Sequence, residues 1–332
     1  MRTKTFVLGL AVASAIAVAP VASRAAEPVD LTVASFKVGS SWYVYSATIG
    51  EILRSALPEG STVDTPPLGG GAANVRLVAG DKAQLALSHA MTNRWAYDGS
   101  VAFDTPMKNL RALVGGLDVY YLAVAASGAE PNENMREYFA ETNPKAVIGL
   151  NPPGSVATFA GELILDEAGA SKEEVEERGG RYAYIPIPDT TAGFADGSVS
   201  VTPQMITVGH PMITEISETN DTTLLQPGDD TLAAMKDKYG FSEGTLPAGS
   251  FKGQTEDLTL PSTTTTLIVS DAMSDDLAYT ITKAIVENKE RLEAGHKALA
   301  DFKPEDAWKP ENVNLPLHPG AERYYRERGW LN

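Results

Sequence analysis

The sequence predicts an α/β fold of two lobes, and three observations predict it. Strand, loop and helix alternate three times between Val29 and Gly99, and a second set of α/β elements opens at Ala146. The 332 residues are also enough chain for about two domains of ordinary size. Repeated βαβ units imply a mainly parallel sheet, whose ligands gather in the loops beyond the carboxyl ends of its strands.

At the start of the chain, Arg2 and Lys4 precede an apolar run from Phe6 to Val21 and the small-residue stretch Ala22-Ser23-Arg24-Ala25. This pattern is that of an export leader, with Ser23 and Ala25 supplying the small side chains a signal peptidase requires, so residues 1–25 are expected to be removed after Ala25. As a membrane anchor the run falls short of the roughly 20 residues a spanning helix needs. No later segment approaches that apolar length, so no direct membrane insertion is expected of the mature chain.

Val29 to Val38 alternates as a strand and runs into Gly39-Ser40-Ser41-Trp42-Tyr43. A helix follows with Ile49, Ile52, Leu53 and Leu57 at helical spacing, ended by Pro58 and Gly60. Ser61 to Pro67 reads as a second strand entering Leu68-Gly69-Gly70-Gly71, and the next helix carries Val75, Leu77 and Val78 as far as Gly80. Ala83 to Ser88 is the third strand, followed by a helix from Met91 to Tyr97. Leu110 to Val124 is long and apolar enough to carry the chain from one lobe to the other.

The second set comprises the strand Ala146 to Leu150, the loop Asn151 to Val156, a helix from Ala157 through Ala168, and strands in Arg181 to Pro186 and Val199 to Val208. Glu218 to Gly253 reads as surface connections with one short helix near Leu232 to Tyr239. Thr263 to Val269 is a returning strand, Asp275 to Leu299 one long helix that rejoins the first lobe, and Glu322 to Arg328 a final helix. The predicted boundaries are 26–117 with 270–332 for the first lobe and 118–269 for the second.

Composition narrows the function. The 43 acidic residues outnumber 27 basic ones, for a net charge of −16, and removal of the leader takes away Arg2, Lys4 and Arg24 with no acid. Such a surface repels polyphosphate, so a nucleic-acid partner is not expected, and an anionic ligand needs strong local donors. With no cysteine there are no disulfides, thiolate metal sites or lipid-bearing cysteine after the leader. The four histidines, His89, His210, His296 and His318, show no metal-ligand spacing, so neither a metal nor a cofactor is expected. His210 and His318 precede proline in turns, where a structural role is the better reading. No Gly-x-Ser-x-Gly elbow, Walker loop or HExxH helix appears, which leaves catalysis without a motif.

The candidate ligand contacts sit at the predicted loops. Gly69-Gly70-Gly71-Ala72-Ala73-Asn74 lacks the third glycine of a dinucleotide fingerprint and follows the second strand rather than the first. Its glycines instead permit close backbone approach and expose N–H donors at a helix start, an anion site; a plain tight turn is the alternative. Asn151-Pro152-Pro153-Gly154-Ser155 repeats that logic in the second half, with Ser155 as N-cap and Thr158 one turn later. Ser41, Trp42, Tyr43 and Tyr45 crowd the first loop, where rings can pack on a ligand skeleton, although Trp42 or Tyr45 is expected in the core. Ser88 and His89 end the third strand at the ligand rim, Gln204 joins them from the strand Val199 to Val208, and Arg94 is read as a solvated surface arginine.

These segments, taken in order, resemble the TAXI family, the solute-binding subunits of certain TRAP transporters. The resemblance runs through the aromatic first loop and helix Ala47 to Leu57, Asn74-Val75-Arg76-Leu77-Val78, Ala86-Leu87-Ser88-His89 and Tyr97-Asp98-Gly99. It continues through Gly154-Ser155, Gly209-His210-Pro211 and Asp276 to Lys283, and is most specific in the tail His318-Pro319-Gly320-Ala321-Glu322-Arg323-Tyr324-Tyr325. It implies a type II periplasmic-binding-protein fold with a hinge and a ligand cleft between the lobes, and a periplasmic location. It also implies a small mono- or dicarboxylate ligand, the family being associated with glutamate, glutamine and 2-oxoglutarate, and delivery to membrane subunits that use an ion gradient; a monomer is expected. Where the family carries glycine and a small residue, this chain has Ser41 and Trp42; where the family has a Gln-Ser-Asp rim, it has Leu87-Ser88-His89. A secreted enzyme on the same fold, or a ligand-loaded sensor of a membrane receptor, is the rival reading.

Overall fold

A computed structural model describes residues 27–331, so the expected leader lies outside the described residues. Among the described residues eleven strands form one sheet: β1 (Asp30–Ala34), β2 (Thr62–Asp64), β3 (Leu85–His89), β4 (Leu110–Val114), β5 (Val119–Ser127), β6 (Val147–Leu150), β7 (Arg181–Tyr184), β8 (Val201–Ile206), β9 (Thr222–Leu224), β10 (Ser242–Leu246) and β11 (Leu258–Ser270). The order β2-β1-β3-β11-β5-β8-β6-β7 runs through two α/β lobes, with β4 and β10 also paired to β11 and β9 paired to β5.

The βαβ units behave as their periodicity predicts: β1 lies parallel to β2 and β3, and β6 parallel to β7 and β8. The sheet as a whole is mixed rather than mainly parallel. β11 runs antiparallel to β3, β4, β5 and β10, and β5 antiparallel to β8 and β9. The antiparallel pairs arise where β5 and β11 run against their neighbours, and antiparallel strands on an otherwise parallel sheet are common in large α/β folds.

Two segments cross between the lobes. The chain leaves β4, turns through Gly115 and Gly116, and re-enters the sheet as β5 at Val119. β11 pairs with β10 and β5 up to Thr264 and with β3 from Thr265 onward, so it changes partners in mid-strand. That change falls within β11, ahead of residue 270.

Helices cover both faces of each lobe's sheet, which is why its strands are buried on two sides. Leu85 and Leu87 of β3 join one apolar cluster while Ala86 joins another; on β5, Leu122 and Val124 face one cluster and Ala123 and Ala125 a second. The helix Ser41–Ala56 turns Tyr45, Ile49, Ile52 and Leu53 to the first-lobe core at i, i+4, i+7 and i+8. It starts where Ser40 Oγ accepts from Tyr43 N and ends at Leu57, which takes the extended conformation favoured before proline.

Three segments depart from the linear reading. The expected helix Asp275 to Leu299 is broken at Asn288 into Asp275–Val286 and Lys289–Gly295, followed by a 3-10 turn; the Asn288 amide donates to Ala284 O, a side chain competing locally with the helix ladder. The last helix begins earlier than expected, at Pro319, because His318 Nδ1 accepts from Gly320 N at 3.2 Å and proline suits the first helical position. The stretch Glu218 to Gly253 holds the helix Asp229–Tyr239 and also β9 and β10, which pair with β5 and β11.

Candidate functional site

A cleft of about 530 Å³ opens at the carboxyl ends of β1, β3, β6 and β8. Six helices among the described residues begin on its wall, three from each side. Ser41–Ala56, Ala72–Ala79 and Ala90–Asp98 start there with Ser40, Gly71 and His89; Val156–Glu167, Ile187–Asp196 and Pro211–Thr219 start there with Ser155, Ile187 and His210. The first N–H groups of a helix have no intrahelical acceptor and sit at the positive end of its dipole, so this arrangement brings partial positive charge and donors to the cleft, although Met91 N is spent on Thr263 Oγ1 and Pro188 and Pro211 have no N–H. Ser40 and Ser155 cap their helices by side chain, whereas the starts at Ala72, Ala90, Ile187 and Pro211 carry no side-chain cap bond.

The glycine loop owes its shape to Asn74. Gly69, Gly70 and Gly71 all have positive φ (85°, 102° and 50°), a path only glycine follows without strain. Asn74, fully buried, accepts from Gly70 N with Oδ1 at 2.7 Å and donates through Nδ2 to Ser35 O and Leu87 O, both at 2.7 Å. One amide thereby ties the loop to the ends of β1 and β3. A Cβ on Gly71 would lie 2.8 Å from Val156 Cγ2, across the cleft, so the two walls approach closely at this point.

Of the expected ligand contacts, Ser41, Trp42, Gly70, Gly71, His89, Ser155 and Gln204 line the cleft. Tyr43, Ser88 and Thr158 do not. Tyr43 is one step around the helix from Trp42, which turns it to another face. Ser88 precedes His89 on a strand, where successive side chains point to opposite faces, and its Oγ donates to His89 O. Thr158 is buried against its own loop, with Oγ1 2.8 Å from Asn151 O, 3.1 Å from Pro152 O and 2.7 Å from Ser155 Oγ, so it shapes the second-lobe loop. Gln204 is 2% exposed and holds Asn151, its Oε1 accepting from Asn151 Nδ2 at 3.2 Å.

Trp42 and Tyr45 both belong to the first-lobe core cluster, and Trp42 also faces the cleft. Its ring lies 4.7 Å from that of His89, which lies 4.8 Å from Tyr120, so three rings form one wall. Behind it, Trp42 Nε1 donates to Thr265 Oγ1 at 3.0 Å, Thr265 N to Asp118 Oδ1 at 3.1 Å, and Tyr45 OH to Asp118 Oδ2 at 2.9 Å. Thr265 and Asp118 sit on the two crossing segments, so cleft wall and hinge share one hydrogen-bonded network. Burial pushes the Asp118 carboxyl up to about 6 against the hydrogen bonds from Thr265 and Tyr45, which pull it down. Burial likewise pushes His89 down to about 3 and lowers His210.

Sequence reasoning missed Phe36, Tyr120, Asn151, Ile187, Met205 and His210 as cleft residues. His210 was expected only in a turn; it opens the helix Pro211–Thr219 on the wall, with a buried Nδ1 that has no hydrogen-bond partner. The Gly-His-Pro sequence ahead of amphipathic Met212, Ile213 and Ile216 was the available signal. Arg94 lies away from the cleft, paired with Asp98 at 3.6 Å and donating to Asp237 O at 2.9 Å. His318, as expected, is structural, with Nε2 2.9 Å from Met273 O.

Two α/β lobes, two crossing segments and a cleft ringed by helix starts make up the two-lobe fold of periplasmic binding proteins. The chain belongs to the NMT1-like family, whose model matches residues 33–329. Among solved structures it is similar in fold to the TctC solute-binding protein from Polaromonas, with a TM-score of 0.51 at 12% identity over 82% of this chain and 86% of that one. It is similar also to MatC from Rhodopseudomonas palustris, solved with bound malate, with a TM-score of 0.50 at 11% identity over 91% of this chain and 97% of that one. No helix among the described residues is long and apolar enough to cross a membrane.

Proposed function

We propose that this protein is the extracytoplasmic solute-binding subunit of a TRAP-type transporter of the TAXI kind. It works in the periplasm after cleavage near Ala25, as a monomer that captures a small carboxylate such as 2-oxoglutarate, glutamate or a similar acid. It hands that ligand to membrane subunits for uptake driven by an ion gradient.

The observation that carries the carboxylate reading is the convergence of six helix starts from both sides on one cleft in a chain of net charge −16. Donors fixed in place before the ligand arrives substitute for its water shell, and the positive helix ends select negative charge. The malate in the similarly folded MatC structure is a ligand of the same class. Residues 26–117 with 270–332 act as one lobe and 118–269 as the other, with β11 shared between them. The ligand docks on Ser41, Trp42, Gly70, Gly71 and His89, and closure brings Ser155 and Gln204 over it. Closure also removes water from the ion, which strengthens every remaining donor contact. The crossing segments at residues 115–118 and at Thr264-Thr265 absorb the motion, on a timescale of about microseconds to milliseconds.

The test is calorimetric titration and thermal melting with 2-oxoglutarate, malate and glutamate, combined with recovery of the bound molecule. One-to-one binding, a raised melting temperature and an unaltered ligand are expected. Failure of every carboxylate to stabilise the protein removes the proposal; conversion of the ligand puts a secreted enzyme in its place. Uptake into proteoliposomes holding the TRAP membrane subunits, dependent on this protein and on an imposed ion gradient, tests the partner.

A further inference from the structure

The ionisable side chains on the cleft wall are Lys37, Arg76, His89, His210 and Tyr120. Every one is a cation or a neutral group at pH 7, and no Asp or Glu lies among the lining residues. Lys37 and Arg76 are exposed, with Lys37 5.6 Å above the Phe36 ring and Arg76 held over Phe103 at 4.6 Å while donating to Ala102 O. The carboxyl behind the wall, Asp118, is 3% exposed, and its oxygens already accept from Thr265 N and Tyr45 OH. The side-chain amides on the wall are those of Asn151 and Gln204, and Gln204 Oε1 is occupied by Asn151 Nδ2.

A second observation points to a ligand rather than to a solvated crevice. His89 and His210, one from each side, both leave a buried Nδ1 without a hydrogen-bond partner. The polar groups on the wall are therefore cationic or neutral: N–H groups at helix starts, two imidazoles, the Lys37 and Arg76 side chains, and the hydroxyls and amides of Ser41, Tyr120, Ser155, Asn151 and Gln204. That set complements a carboxylate together with a neutral oxygen group. For an ammonium ion it supplies only neutral acceptors and no carboxylate, so the ion would enter a field of positive helix ends and lose its water without a counter-charge.

We propose that the cleft takes carboxylates lacking an ammonium group, such as 2-oxo, hydroxy and unsubstituted acids, and rejects the amino acid of the same carbon skeleton. This specificity rests on reading the cleft as a carboxylate site, and it divides the candidate ligands: 2-oxoglutarate falls on the accepted side and glutamate on the rejected side.

Matched pairs test it. Titration calorimetry at pH 7 with 2-oxoglutarate and glutamate, malate and aspartate, and phenylpyruvate and phenylalanine compares molecules that differ at the amine. In any pair that binds, the acid without the amine is expected to bind about a hundredfold tighter or more, the penalty of an uncompensated buried charge. An amino acid that binds as tightly as its partner, or tighter, overturns the specificity while leaving the carboxylate site intact. No binding by any of the six molecules overturns the carboxylate reading itself. Gln204→Glu and Asn151→Asp each place a carboxylate on the wall. In whichever variant keeps the wild-type circular dichroism spectrum, the gap within a pair is expected to shrink about tenfold or more; a gap unchanged in both folded variants overturns the charge argument.

Discussion

The Tyr45 hydroxyl donates to Asp118 Oδ2 at 2.9 Å, and this bond joins the helix behind the cleft wall to the segment on which the chain crosses between lobes. Asp118 also accepts from Thr265 N, on the second crossing segment, so one buried carboxyl bridges both. Trp42 Nε1 donates to Thr265 Oγ1, so the same crossing segment is bonded to the cleft wall.

This bridge makes stability depend on pH in a definite direction. A carboxyl whose folded-state pKa is raised favours the native state while protonated. The contribution of Asp118 is complete below about pH 4 and is lost as the pH rises through about 6. Asp118→Asn removes that titration. The melting temperature of the wild type is therefore expected to fall relative to that of the variant between pH 4 and pH 7; a difference independent of pH would contradict the raised pKa.

His89 carries the opposite sign. Its folded-state pKa is pushed down to about 3, so its contribution is present above about pH 6.5 and is lost as the pH falls toward 3. His89→Phe keeps a ring between Trp42 and Tyr120. Urea denaturation at pH 7 and pH 4 is expected to show the wild type losing more stability on acidification than the variant.

Asn74→Ala leaves Gly70 N, Ser35 O and Leu87 O without their partner in a buried site. The expected cost is about 1–3 kcal/mol in chemical denaturation. Ligand affinity should fall as well, because the glycine loop loses the amide that shapes it. Unchanged affinity in the folded variant would place the ligand away from that loop.

Gly71→Ala puts a Cβ 2.8 Å from Val156 Cγ2 and at a backbone conformation of φ 50° and ψ −129°. Strain of about 1–3 kcal/mol corresponds to an affinity loss of roughly tenfold to a hundredfold when closure must bring these walls together. Adding Val156→Ala should recover part of that loss, which a titration of the single and double variants measures.

Much of the first lobe was legible along the chain. Its three βαβ units announce themselves through apolar periodicity and glycine stops, and in the second lobe Ser155 caps a helix as its position before Val156 predicts. The break at Asn288 and the early start at Pro319 were harder to read, because each turns on one side chain bonding to nearby backbone rather than on periodicity. Thr158 was legible as a residue one turn beyond Ser155, but not as a group spent on Asn151 O.

By itself the sequence determined the α/β class, the loops that carry the cleft and the donor-rich character of those loops, since these follow from local spacing and residue chemistry. Only the tertiary structure decided that Tyr120 and His210 join His89 in one cleft, that Thr265 meets Trp42 from 223 residues away, and that the antiparallel pairings of β5 and β11 make the sheet mixed. The physical reason is that strand pairing and ring packing are settled between segments distant in the chain. The energy of those contacts depends on partners that no local window contains.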